Sequence, residues 1–143
     1  MSHPRGMTGT ISLDTDQLHT LVPLSATLGM RVSEATPQSV RLQMDWQPQL
    51  CTAGGVLHGG ALMSLADTAG ALCAYLNLGP DGGTTTTIES KTNFLAAVRA
   101  GALTATASPL HIGRTVIVVE TELRDETGRL AAKTTQTQAA MRT

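Results

Sequence analysis

The sequence predicts an α+β domain, with one long buried helix followed by an antiparallel sheet able to wrap around it. Two observations carry this. From Ala61 to Leu78 the chain is almost wholly apolar and rich in Ala, Leu and Met, all strong helix formers. From Thr84 onward it is rich in threonine and branched residues, which suit a pleated strand, and the whole chain holds 22 threonines. The 143 residues fit one domain, and a hydrophobic content of 41% is enough for a core.

Residues 1–12 are small, polar and punctuated by Gly and Pro, and read as a flexible tail ahead of a single domain over 13–143. Asp14 or Asp16 can cap a short helix carrying Leu18, Leu21 and Val22, ended by Pro23. Leu24 and Leu28 suggest a further turn before Gly29. At Val40, Leu42, Met44 and Trp46 the period becomes two, the mark of a half-buried strand. Thr36-Pro37-Gln38 is a turn, so Met30–Ala35 and Ser39–Trp46 form a hairpin. Residues 47–60 are irregular. The long helix follows over Ala61–Leu78, interrupted only by Ser64, Asp67, Thr68 and Asn77. With no polar face it is expected to be buried on every side.

Beyond Gly79–Gly83 four strands follow, over Thr84–Leu95, Leu103–Leu110, Thr115–Arg124 and Arg129–Met141, with a turn at Asp125–Gly128. The links between them look short, which favours antiparallel meanders. There is no internal repeat.

Composition excludes several functions. Basic and acidic residues number 10 and 11, for a net charge of −1. No basic run tracks phosphates, and Trp46, Tyr75 and Phe94 are the only aromatics, so nucleic acid is excluded as a partner. A membrane span is disfavoured by Asp67 in mid-helix and by the lack of flanking Lys or Arg. Cys51 and Cys73 make no disulfide framework, and the N-terminus lacks the apolar core of a secretory signal. The expected setting is cytoplasmic. Charged residues are 15%, against about 25% in an ordinary soluble domain, which points to surface covered by copies of the same chain.

The chemistry is concentrated in Gly55-Val56-Leu57-His58-Gly59-Gly60-Ala61 and Leu65-Ala66-Asp67. Gly59 and Gly60 open a helix where better caps exist. They either bring a ligand close to free N–H groups, which suit a developing oxyanion, or simply let the chain turn tightly. Asp67 is the sharper signal. A carboxylate on an apolar helix needs partners, a raised pKa or a wet cleft, so it is either bonded to loop amides or acts as nucleophile or base. His58 reads either as a packed histidine ordering the loop or as a participant. Gly59 and Asp67 are eight positions apart, about 12 Å along a helix axis. One carbonyl cannot touch both on the same helix, so joint action requires two helices, most simply from two subunits running antiparallel.

These residues, with Phe94-Leu95 and Gly113-Arg114-Thr115, resemble hotdog-fold acyl-CoA thioesterases of the phenylacetate-degradation type, over roughly residues 24–141. The resemblance implies a helix wrapped by an antiparallel sheet, dimers with shared active sites, and dimers of dimers. It implies hydrolysis of an acyl-CoA to a free acid and coenzyme A, with no metal and no cofactor beyond the coenzyme A of the substrate. It makes Asp67 the catalytic carboxylate, Gly59 the backbone donor to the thioester carbonyl, and Thr87 a hydroxyl near the attacking water. Thr52, six positions before the histidine, stands where many relatives have Asn or Gln. Ala96-Ala97-Val98 follows Phe94-Leu95 where relatives often carry a proline.

Arg99, Arg114 and Lys91 are candidates for the coenzyme A phosphates, or plain surface charges. Leu62, Met63 and Tyr75 either line an acyl pocket or belong to the core. Two other readings share the scaffold. One is an acyl-CoA binding or sensing domain without turnover; the other is a hydratase or dehydratase of 3-hydroxyacyl thioesters using His58 with Asp67.

Overall fold

The computed structural model describes residues 13–143, so the tail expected over 1–12 lies outside the described residues. Helix α1, Thr15–Leu21, starts at Asp14, whose carboxylate accepts the Gln17 N–H at 2.8 Å while the Gln17 side chain accepts the Asp14 N–H. This reciprocal pair satisfies two otherwise free amides. Pro23 ends α1 and opens α2, Pro23–Thr27. Strands β1, Arg31–Ala35, and β2, Val40–Asp45, form the expected hairpin. In β2, Val40, Leu42 and Met44 are fully buried and the residues between them are not, so alternation in sequence became alternation in burial.

Helix α3 spans Gly59–Leu76, about 27 Å at ~1.5 Å per residue. Its far end is tied down by the Asn77 side chain, which donates to the carbonyls of Cys73 and Pro37 at 2.8 Å each. Strands β3, Gly83–Phe94, β4, Ala102–Ile112, β5, Val116–Arg124, and β6, Leu130–Arg142, complete one antiparallel sheet in the order β1-β2-β4-β5-β6-β3. The core lies between α3 and the concave face. Leu65, Ala66, Ala69 and Cys73 meet Leu42, Met44, Leu103, Ile117, Val119 and Leu123. The alanines of β4 and β6 (Ala105, Ala107, Ala132, Ala140) allow the helix to lie close.

Two expectations are corrected. The meander holds for β4–β5–β6, but β3 lies at the far edge beside β6, separated from β4 by both β5 and β6. Residues 95–101 make that passage across the start of α3. Leu95 and Ala96 donate to the Ala131 carbonyl, Leu57 to that of Val98, and Trp46 to that of Gly101. Seven residues suffice, since three strand spacings amount to about 14 Å and seven extended residues reach about 23 Å. The helix, in turn, is not buried on every side. Gly60, Ser64, Asp67, Ala71 and Tyr75, three or four positions apart, form a stripe that stays partly or fully open. Among the described residues no helix is long and apolar enough to cross a membrane.

Candidate active site

The open stripe carries the carboxylate. Oδ1 of Asp67 accepts the Thr87 hydroxyl at 3.1 Å and Nε2 of Gln136 at 2.9 Å. Thr87 accepts Nε2 of Gln138 at 2.6 Å. Thr87 comes from β3, and the two glutamines from β6, where both are fully buried. A β-bulge decides this geometry. Thr87 pairs with Gln138 and Ser90 with Gln136, so β3 advances three residues while β6 advances two. The extra residue, Ile88, points outward and is 62% exposed. Thr87, Ser90 and Thr92 therefore share the helix-facing side, as bulges beside functional groups often arrange.

Two clefts meet at Asp67. One, of about 430 Å³, is lined mainly by Leu18, Leu21, Val22, Ala71, Leu72, Tyr75, Thr84 and Thr85. The other, of about 310 Å³, is lined by Met63, Ser64, Thr87 and Ser90. Tyr75 and Met63 thus border the carboxylate's clefts. Leu62 instead lines a third cleft, of about 400 Å³, at the start of α3, together with Val56, Leu57, Gly59 and residues 94–98.

At that start, His58 is the residue before the helix. Its Nδ1 accepts the Gly60 N–H at 2.7 Å, and its carbonyl accepts the Ala61 and Leu62 amides. A methyl group on Gly60 would stand 3.0 Å from Nδ1, and one on Gly59 would stand 3.2 Å from the Phe94 ring. Both glycines thus make room for a ring. As first residue of the helix, Gly59 has an N–H with no intrahelical carbonyl to reach.

The structure brings Asp67 and Thr87 together and keeps Gly59 with Gly60 and His58 eight residues away on the same helix. Thr52 sits in the exposed turn before the cap, its N–H bonded to the Val56 carbonyl. Arg99 is near that turn, donating to the Gly54 carbonyl at 3.3 Å. Lys91 is exposed on the outer face of β3. Arg114 lies at the opposite pole, in the β4–β5 turn, where the Arg142 guanidinium bonds the carbonyls of Arg114, Gly113 and Leu78. Sequence reasoning missed Gln136 and Gln138. The available signal was parity, since Ala132, Thr134, Gln136, Gln138 and Ala140 share the core face of one strand.

Comparisons with known proteins agree with this geometry. The Mycobacterium tuberculosis protein Rv1847, provisionally named an esterase, is 30% identical over 118 residues, covering 81% of this chain and 84% of that one. Its solved structure matches with a TM-score of 0.82 over 85% of this chain and 98% of that chain, at 28% identity. The thioesterase HI1161 of Haemophilus influenzae matches with a TM-score of 0.84 at 27% identity, covering 92% of this chain and 93% of that chain. The 1,4-dihydroxy-2-naphthoyl-CoA hydrolase of Listeria monocytogenes is 32% identical over 107 residues, covering 75% of this chain and 86% of the relative. These neighbours share the hotdog arrangement of a long helix on an antiparallel sheet. A family model described as the thioesterase superfamily matches residues 54–132, from the turn before α3 into β6, and the chain belongs to that superfamily.

Proposed function

We propose that this protein hydrolyses acyl-CoA thioesters, in the manner of the phenylacetate-degradation type, at sites shared between two copies of the chain. One observation carries the reading. The Asp67 carboxylate is held through Oδ1 by two donors where two clefts meet, while Oδ2 accepts no hydrogen bond from the described residues. A carboxylate so oriented can attack a thioester carbonyl or take a proton from water.

The shared site follows from distance. About 12 Å separates Gly59 from Asp67 on one helix, so a single carbonyl meets Gly59 of one protomer and Asp67 of the other. The twelve-residue edge strand β3, with Ile88 and Phe94 exposed, supports a second copy at that edge. An antiparallel pair also brings the Arg114 pole of one protomer alongside the Arg99 pole of the other, where coenzyme A phosphates find cations. Pairing of two such dimers extends the proposal to a tetramer. The two free cysteines, Cys51 and Cys73, are consistent with a reducing, cytoplasmic setting.

In this mechanism the Gly59 N–H, at the positive end of α3, polarises the thioester carbonyl. In one route Asp67 attacks the carbonyl carbon and the C–S bond breaks. Coenzyme A leaves as thiolate, and water then cleaves the mixed anhydride. In the other route Asp67 takes a proton from a water held near Thr87, and that water attacks. Both give the free acid and coenzyme A. The Listeria relative's activity supports an aryl acyl group, and the cleft running from Asp67 to Tyr75 also admits medium aliphatic chains.

The test is thiol release from phenylacetyl-, hydroxybenzoyl-, dihydroxynaphthoyl-, hexanoyl-, decanoyl- and palmitoyl-CoA, with Asp67→Ala alongside. Turnover lost in the variant supports the reading. Tight binding of acyl-CoA without turnover by the wild type favours a sensing domain instead.

A further inference from the structure

Two features of the chain break local rules. Gly70 sits in the middle of α3, where glycine is a poor helix former, and Gln136 is fully buried on the core face of β6. One contact accounts for both. A methyl group on residue 70 would stand 1.6 Å from Oε1 of Gln136 and 2.4 Å from its Cδ. Only glycine leaves the space through which the amide reaches Asp67.

Resting on the reading of Asp67 above, we propose that Gln136 is the positioning residue of the Asp67 carboxylate, with Gly70 as its socket. Gln138 supports it by setting the direction of the Thr87 hydroxyl. The donors are arranged in one sense. Gln138 gives a hydrogen to Thr87, so the Thr87 proton is directed at Asp67, and Gln136 gives a second to the same oxygen. The amide is oriented by chemistry. Turned over, Gln136 would aim its own acceptor at the carboxylate oxygen.

The arrangement is costly to the core. Oε1 of Gln136 and Oε1 of Gln138 are both buried with no partner among the described residues, so apolar side chains of the same length would pack without that loss. The return is local to Asp67. A lone aspartate turns readily about its last bond, and two donors on Oδ1 stop that rotation and leave Oδ2 for the reacting atom.

The experiment uses the full chain and the thioester that it turns over fastest. Gln136→Met keeps the length and removes the donor. It is expected to hold or raise the melting temperature, lower kcat by about tenfold to a hundredfold and leave KM within about twofold. Gly70→Ala is expected to lower kcat similarly by ejecting the amide, and to lose stability. In a Gln136→Ala background, which vacates the space, Gly70→Ala should cost no stability and little further activity. Wild-type kcat in Gln136→Met or in Gly70→Ala overturns the proposal.

A readout without turnover accompanies these. The Gln136 side-chain amide, assigned in a proton–nitrogen NMR spectrum by its loss in Gln136→Met, should shift in Asp67→Ala. An unmoved signal overturns the contact. Absence of turnover on every thioester would sink the thioesterase reading, while the amide signal tests the Gln136–Asp67 pair by itself.

Discussion

Nδ1 of His58 and the backbone N–H of Gly60 are 2.7 Å apart, so the imidazole caps the first turn of the helix that carries Asp67. Capping is the work of a side-chain acceptor, and a neutral imidazole supplies one with its proton on Nε2. His58→Ala is therefore expected to cost about 1 kcal/mol. His58→Asn, with an amide oxygen to offer, should regain most of it. Urea denaturation of the three proteins checks this. If His58→Asn is no better than His58→Ala, the capping account is wrong.

Thr87 both accepts from Gln138 and donates to Asp67, so its hydroxyl cannot be lost without disturbing both neighbours. Thr87→Ser should keep kcat within about threefold. Thr87→Val keeps the shape but strands the Gln138 donor and leaves the carboxylate with Gln136 as its one donor, and should lower kcat about tenfold or more. Equal rates for the serine and valine variants would remove Thr87 from the site.

Thr121 is fully buried opposite Thr134, and its hydroxyl has no partner among the described residues. A polar group in that position loses its hydration without recompense. Thr121→Val, with the same branched shape, is expected to stabilise the protein by up to about 1 kcal/mol. Thermal denaturation is the measurement. Destabilisation of similar size would reveal a buried water or another partner for the hydroxyl.

Burial pushes the Cys73 thiol up to about 11 from an ordinary 9.0. The neutral thiol is thus favoured in the folded state. As pH rises through 9 the unfolded chain releases this proton while the folded chain keeps it, so stability falls between about pH 9 and 11. Melting temperatures of wild type and Cys73→Ala across that range should converge as pH rises. Native Cys73 should also resist alkylation at pH 8 and react once denatured, which mass spectrometry resolves.

The elements were legible because their patterns are local. Period-two alternation marked β2, the apolar run marked α3, and Asp67 stood out as a charge on that run. The cap of α1 was readable as Asp14 or Asp16, because capping needs only the next three residues, and the structure selects Asp14. Gln136 and Gln138 were not legible for a reason equally local. Thr134 to Gln138 is polar at every position, so no period distinguishes the buried parity from the exposed one. The open stripe of α3 was hidden for a different reason: only Ser64 and Asp67 on it are plainly polar, and Gly60 and Ala71 look alike whether covered or not.

Strand order is a different kind of information. Short links suggested neighbours, yet β3 pairs with β6, and the seven residues of the link are long enough to cross the start of α3. That crossing, with the bulge at Ile88, turns Thr87 toward Asp67, and the eleven-residue strand β4 carries Arg114 to the far pole from Arg99. The sequence by itself determined which segments are helix and strand and which carboxylate is out of place. The tertiary structure alone decided what holds that carboxylate, because strand pairing and register arise from contacts between residues distant in the chain, and periodicity reports only on near ones.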